Sequence, residues 1–92
     1  MRWLAEVHVR LQPGIADPEG QTIASGLRAL GFEGVAEVRA GKLLRISFEA
    51  SDRTAAEASV DEMCRRLLAN PVMETADWEL RADETAAIEV HA

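Results

Sequence analysis

From Arg2 to Leu11 the chain alternates. Trp3, Ala5, Val7, Val9 and Leu11 share one parity, and Arg2, Glu6, His8 and Arg10 the other, with Leu4 the exception. A period of two carrying β-branched residues predicts a half-buried strand, and Gln12-Pro13-Gly14 stops it. At Asp17-Pro18-Glu19-Gly20 the period changes. Asp is suited to cap free helix N–H groups, Pro to the first helical position, and Glu to the positive end of the helix. Ile23, Leu27 and Leu30 then recur at i, i+4 and i+7, one apolar stripe, and Gly31 is placed to end the helix in a left-handed cap.

Val35-Ala36-Glu37-Val38-Arg39 reads as a short second strand, and Ala40-Gly41-Lys42 as a tight reversal. A third strand follows, with Leu44, Ile46 and Phe48 alternating with Arg45, Ser47 and Glu49. Ser51 or Asp52 caps a second helix, whose predicted buried face is Ala56, Val60, Met63 and Leu67, with Cys64 and Leu68 alongside. Asn70-Pro71 ends it, Asn tolerating the left-handed conformation and Pro being unable to continue the helix. The last strand carries Val72, Ala76, Trp78 and Leu80 on its inward parity, and Glu74 shares that parity. A buried acid needs a specific partner, so Glu74 is a candidate for a hydrogen bond or an inter-subunit pair.

The predicted order, β-α-β-β-α-β, is that of the split βαβ or ferredoxin-like class. This is an α+β two-layer sandwich with two helices covering one face of the sheet. Residues 1–82 form a single domain, and 83–92 a C-terminal tail that the pattern leaves mobile or ordered only by a partner.

Composition narrows the partners. A domain of 92 residues buries about 60–65% of its unfolded surface, so its core alone is marginal. Ten basic against sixteen acidic residues give a net charge of −6, which repels phosphate backbones and anionic lipid. No run approaches the ~18–20 apolar residues of a membrane span. The early charges of Met1-Arg2-Trp3-Leu4-Ala5-Glu6 do not suit the apolar region of a signal peptide. A single cysteine, Cys64, allows no internal disulfide and points to a reducing cytoplasm. The expectation is a cytoplasmic module that binds neither nucleic acid nor membrane.

No catalytic constellation is visible. His8 and His91 lie at opposite ends of the chain, the first as an outward strand residue and the second in the tail. Cys64 sits late in the second helix among apolar neighbours, where a thiol is buried and inert. The glycines form no phosphate loop. Asp61-Glu62 and Asp83-Glu84 fall on solvated positions, and Trp3 and Trp78 on inward, core parities. Catalytic, cofactor-binding and metal-ligating residues are therefore all expected to be absent.

Three segments together resemble the PurS family, the small subunit of formylglycinamide ribonucleotide amidotransferase (phosphoribosylformylglycinamidine synthase). They are Asp17-Pro18-Glu19-Gly20 leading to Leu27-x-x-Leu30-Gly31, then Val35-x-x-Val38-Arg39-x-Gly41-Lys42, and then Glu62-Met63-Cys64-x-x-Leu67-Leu68-Ala69-Asn70-Pro71-Val72-x-Glu74, followed by Glu79. The resemblance covers roughly residues 2–81.

The resemblance implies a subunit without an active site of its own, in de novo purine synthesis. It would assemble and couple a glutaminase subunit, which releases ammonia from glutamine, with a synthetase subunit. The synthetase uses ATP and magnesium to convert formylglycinamide ribonucleotide to formylglycinamidine ribonucleotide, so the cofactors belong to the partner. It also implies self-association as a dimer or tetramer. The residues of the family motifs, Arg39, Gly41, Lys42, Asn70 and Glu74, are the expected partner or subunit contacts. The competing reading is a ferredoxin-like regulatory module that binds a small ligand at a dimer interface, since fold alone does not separate the two.

Overall fold

The computed structural model describes residues 1–83. Strand β1 (Arg2–Leu11) is the centre of a three-stranded antiparallel sheet, with β2 (Gly41–Glu49) on one side and β3 (Glu74–Ala82) on the other. Helix α1 (Pro18–Ala29) connects β1 to β2. Helix α2 (Arg53–Met63), continued by a π turn over Cys64–Leu68, connects β2 to β3. The α+β class and the two helices follow the sequence pattern, and among the described residues three strands form where four were expected.

The alternation of β1 sets the layers. Trp3, Ala5, Val7 and Val9 are buried on one face, and Val60 and Cys64 cluster with Ala5, Val7 and Val9 from the α2 side. Leu44, Ile46 and Phe48 of β2 and Ala76, Trp78 and Leu80 of β3 border this cluster. The register sets Val7 between Leu44 and Trp78, and Ala5 between Ile46 and Leu80. Trp3, 5% exposed, lies under the guanidinium of Arg53, 5.3 Å from the ring centroid. The other face carries charge: Glu6 accepts from Arg81 at 2.6 Å and lies 3.5 Å from Arg45. Arg10 pairs with Asp77, and His8 Nδ1 is 3.7 Å from the same carboxylate.

The helix starts form as their sequences direct. Asp17 caps α1 by accepting from Gly20 N–H, and Asp52 caps α2 by accepting from Ala55 N–H. Gly31 ends the first helical segment with φ +103°, the conformation a glycine adopts without steric cost.

Five expectations are corrected. Val35–Arg39 is not a strand: the chain has no turn or bend here, but among the described residues no strand lies beside it to complete a ladder. Ala40-Gly41-Lys42 is not a reversal, because Gly41 opens β2 opposite Arg10. Glycine is needed at this position for closeness, since a Cβ would stand 2.9 Å from the Val9 carbonyl oxygen. Leu67 is 82% exposed because the wider π turn rotates it off the face that Cys64 and Leu68 hold against the core.

The fourth correction concerns Asn70, which has a negative φ and works through its side chain instead, Oδ1 accepting from Val72 N–H at 2.9 Å. Val72 belongs to this turn, 78% exposed, and the strand opens at Glu74. The fifth is Asp83, which is buried. Its N–H donates to the Arg2 carbonyl at 2.9 Å and its carboxylate accepts from Ser47 Oγ at 2.9 Å. The remainder of the expected tail, with Glu84 and His91, lies outside the described residues.

Candidate functional site

One end of the sheet gathers the residues that the sequence motifs single out. The C-terminal end of β1, the N-terminal end of α1, the segment entering β2 and the first residue of β3 surround a cleft of about 290 Å³. Asp17, Glu19, Gly41, Lys42 and Glu74 contribute to its lining, with Arg10 at its edge. Arg39 borders the adjoining surface beside Arg10, Gly41 and Lys42. Asn70 joins through Glu74, whose Oε1 accepts from Asn70 N–H at 2.8 Å. All five expected contact residues thus come to one end of the molecule, although they are scattered from 39 to 74 in the chain.

Their local duties differ. Arg39 donates to the carbonyls of Ile15 (3.1 Å) and Gln12 (3.3 Å), tying the segment before β2 to the loop after β1. Glu74 and Asn70 close the turn between the π turn and β3: the Asn70 carbonyl accepts from Glu74 N–H at 2.7 Å and from Met73 N–H at 3.2 Å. Glu74 therefore has the specific partner its inward parity called for, and that partner lies within its own chain. Gln12 stitches this turn to β1, its N–H donating to the Met73 carbonyl at 2.8 Å and its side-chain amide to the Pro71 carbonyl at 3.2 Å. Lys42 stands opposite Val9 at the rim.

Asp17 is the residue that sequence reasoning undervalued. Read only as a helix cap, it is 4% exposed and holds two backbone donors, Gly20 N–H at 2.9 Å and Ala40 N–H at 2.7 Å. These bonds, and Arg39 nearby, hold its carboxyl below the usual carboxylate range. The first was legible in the Asp-Pro-Glu-Gly spacing. The second joins residues 23 apart and leaves no local signal.

Cys64 is buried, and desolvation pushes its thiol up, away from the reactive thiolate. Among the described residues no group of three His, Cys, Asp or Glu side chains could hold a metal ion, and no helix is long and apolar enough to cross a membrane.

This arrangement defines a small α+β module of the split βαβ class whose sheet has two outer strands. The family model for PurS, phosphoribosylformylglycinamidine (FGAM) synthase, matches residues 4–82. The PurS subunit of phosphoribosylformylglycinamidine synthase from Archaeoglobus fulgidus is 46% identical over 71 residues, covering 77% of this chain and 89% of that one. The Thermus thermophilus PurS structure superposes with a TM-score of 0.82 at 40% identity, over 90% of this chain and 99% of that one. A chain of the PurLQS structure from Thermotoga maritima does so with a TM-score of 0.76 at 31% identity, over 88% and 96%. The chain belongs to the PurS family, the PurS subunits of phosphoribosylformylglycinamidine synthase, an enzyme of purine biosynthesis.

Proposed function

We propose that this chain is the non-catalytic small subunit that joins the glutaminase and the ATP-dependent synthetase of phosphoribosylformylglycinamidine synthase. In this role it couples ammonia released from glutamine to the amidation of formylglycinamide ribonucleotide in the cytoplasm. The observation that carries the reading is the likeness to a chain of the Thermotoga maritima PurLQS structure, a complex whose name joins the L and Q subunits to S. ATP and magnesium belong to the synthetase in this reading, and this chain holds no cofactor. The sheet end around Arg39, Gly41, Lys42, Asn70 and Glu74 is the proposed contact surface. The chain also associates with itself, because a marginal domain that leaves Ile23, Leu30, Phe32 and Leu67 exposed gains by covering them.

An omit-one reconstitution tests the role. The chain is combined with its synthetase and glutaminase, and glutamine-dependent formation of formylglycinamidine ribonucleotide is followed. Without this chain, activity with glutamine collapses while activity with added ammonia largely survives. Full glutamine-dependent activity from the two large proteins alone would refute the coupling role and direct attention to small-ligand binding by the isolated chain.

A further inference from the structure

Beside the cleft at the sheet end lies a second cavity, of about 370 Å³. His8, Arg10, Arg39 and Lys42 line it, with Gly41 and Leu43 between them. None of its lining residues is acidic, in a chain whose net charge is −6. Attraction of an anion here is therefore a local property and not one of the whole surface.

The basic side chains are neutralised unevenly. Arg10 pairs with Asp77, and His8 Nδ1 is 3.7 Å from the same carboxylate. Arg39 is held by backbone carbonyls, Nη1 donating to Ile15 and Nη2 to Gln12. A guanidinium carries five N–H donors, so three of them remain. Among the described residues the Lys42 ammonium has neither hydrogen bond nor ion pair, and it keeps all of its donors. The acids nearby are placed elsewhere. Asp17 accepts from the Gly20 and Ala40 N–H groups and, with Glu19 and Glu74, lines the adjoining cleft. Glu37 lines a neighbouring cavity that shares Arg10 and Arg39.

We propose that Arg39 and Lys42 bind the phosphate group of a small phosphate compound in this cavity, with Arg10 and His8 at its border. Two cations without a carboxylate partner match a phosphate monoester, which carries about −1.5 to −2 charge near pH 7. Its three terminal oxygens use the donors that both side chains leave free, whereas a carboxylate offers two oxygens to the same donors. The carbonyls of Ile15 and Gln12 already hold the Arg39 guanidinium in place, so binding orders little that is not ordered beforehand. Gly41 leaves the space between the two cations open, and Leu43, 45% exposed, gives an apolar wall for the sugar of an ester. The site goes beyond the coupling role and needs neither partner subunit.

The test is titration of the isotope-labelled full chain, followed by amide NMR shifts at constant ionic strength so that added salt does not imitate binding. Inorganic phosphate, ribose 5-phosphate and ribose are compared. Ribose 5-phosphate shifts the amides of Arg39, Gly41, Lys42 and Leu43 saturably, with a dissociation constant below about 1 mM, and ribose shifts none. Tighter binding of the ester than of inorganic phosphate identifies a sugar phosphate as the ligand, and equal binding identifies free phosphate. Lys42→Gln and Arg39→Gln each weaken binding about tenfold or more, the loss expected for one charge-assisted contact. Arg65→Gln, which removes a cation of the π turn, leaves it unchanged. If Arg39→Gln loses native circular dichroism, Lys42→Gln carries the comparison, since the Lys42 ammonium holds no partner among the described residues.

No saturable shift with either phosphate compound up to about 10 mM, or the same loss of binding in Arg65→Gln as in Lys42→Gln, would overturn the proposal. So would shifts of these amides by a poly-aspartate peptide and by neither phosphate compound, which would assign the cations to an acidic segment of a partner protein. The coupling role fails separately: the isolated chain suffices for the titration, and the reconstitution reads glutamine-dependent activity alone.

Discussion

Gly20→Ala and Gly26→Ala introduce the same methyl group into the same helix, and the structure sets them in opposite directions. Helix propensity alone favours alanine at both positions, by roughly 0.5–1 kcal/mol in a helix interior. At Gly26 nothing lies within 4 Å of the added Cβ, so the gain is expressed. At Gly20 the Cβ would stand 2.2 Å from the Val38 carbonyl oxygen and 2.8 Å from Asp17 Oδ2. One neighbour is backbone and the other a carboxylate held by two backbone donors, so neither yields freely. Relieving such overpacking costs about 1–3 kcal/mol, and a 2.2 Å approach to backbone belongs in the upper half of that range, which leaves a net loss of about 1–2 kcal/mol.

For a domain of this size each kcal/mol moves the melting temperature by about 4–8 °C. Gly26→Ala therefore melts a few degrees higher than the parent, and Gly20→Ala about 4–16 °C lower. Thermal unfolding is followed by circular dichroism at one fixed protein concentration, because self-association shifts the midpoint by mass action. A Gly20→Ala variant as stable as the parent would refute the argument. It would mean that the start of α1 is not held against the segment entering β2.

Three further outcomes follow from the packing and the charges. Val60→Ala, at a fully buried position against β1, costs about 2–3 kcal/mol by urea denaturation, and a loss below 0.5 kcal/mol on the order of a surface change would contradict the core assignment.

Glu6, Asp17 and Glu49 have folded-state pKa values held below the ordinary carboxylate range, by Arg81, by the Gly20 and Ala40 N–H groups, and by Arg2 respectively. The unfolded chain thus binds more protons in acid, and stability is full above about pH 5 and falls as pH drops through roughly 4 and below. Asp17→Asn reduces that acid slope in urea midpoints taken from pH 7 to 3; an unchanged slope would count against the Asp17 contribution.

Glu74→Gln keeps an acceptor for Asn70 N–H and stays near parental stability, whereas Glu74→Ala leaves that exposed donor to water and costs about 0.5–1 kcal/mol. Equal midpoints for the two variants would show that the turn does not depend on this bond.

Most elements were legible because their causes are local. The alternation from Trp3 to Leu11, the Asp17-Pro18-Glu19-Gly20 helix entry, the Gly31 stop and the strand around Leu44, Ile46 and Phe48 each rest on spacing within a few residues. The family motifs likewise mark Arg39, Gly41, Lys42, Asn70 and Glu74, which meet only in the folded chain. The failures share a different cause. Val35–Arg39 carries a strand pattern, but a strand exists only when another backbone completes its ladder, and alternation cannot say whether one is present. Leu67 followed the helical stripe until the π turn changed the angular step. Asp83 looked solvated because its partners, Arg2 and Ser47, are distant in sequence.

The sequence by itself therefore determined the α+β class, the central strand, both helix starts and the family, all properties of short-range pattern and residue identity. Tertiary structure alone decided that Asp17 holds the entry to β2 through Ala40, that Glu74 pairs with its own chain at Asn70, and that five motif residues surround one sheet end. Those outcomes depend on bonds between residues brought together only by the folded path of the backbone. Such bonds form wherever a donor and an acceptor meet, and no periodicity along the chain records that meeting.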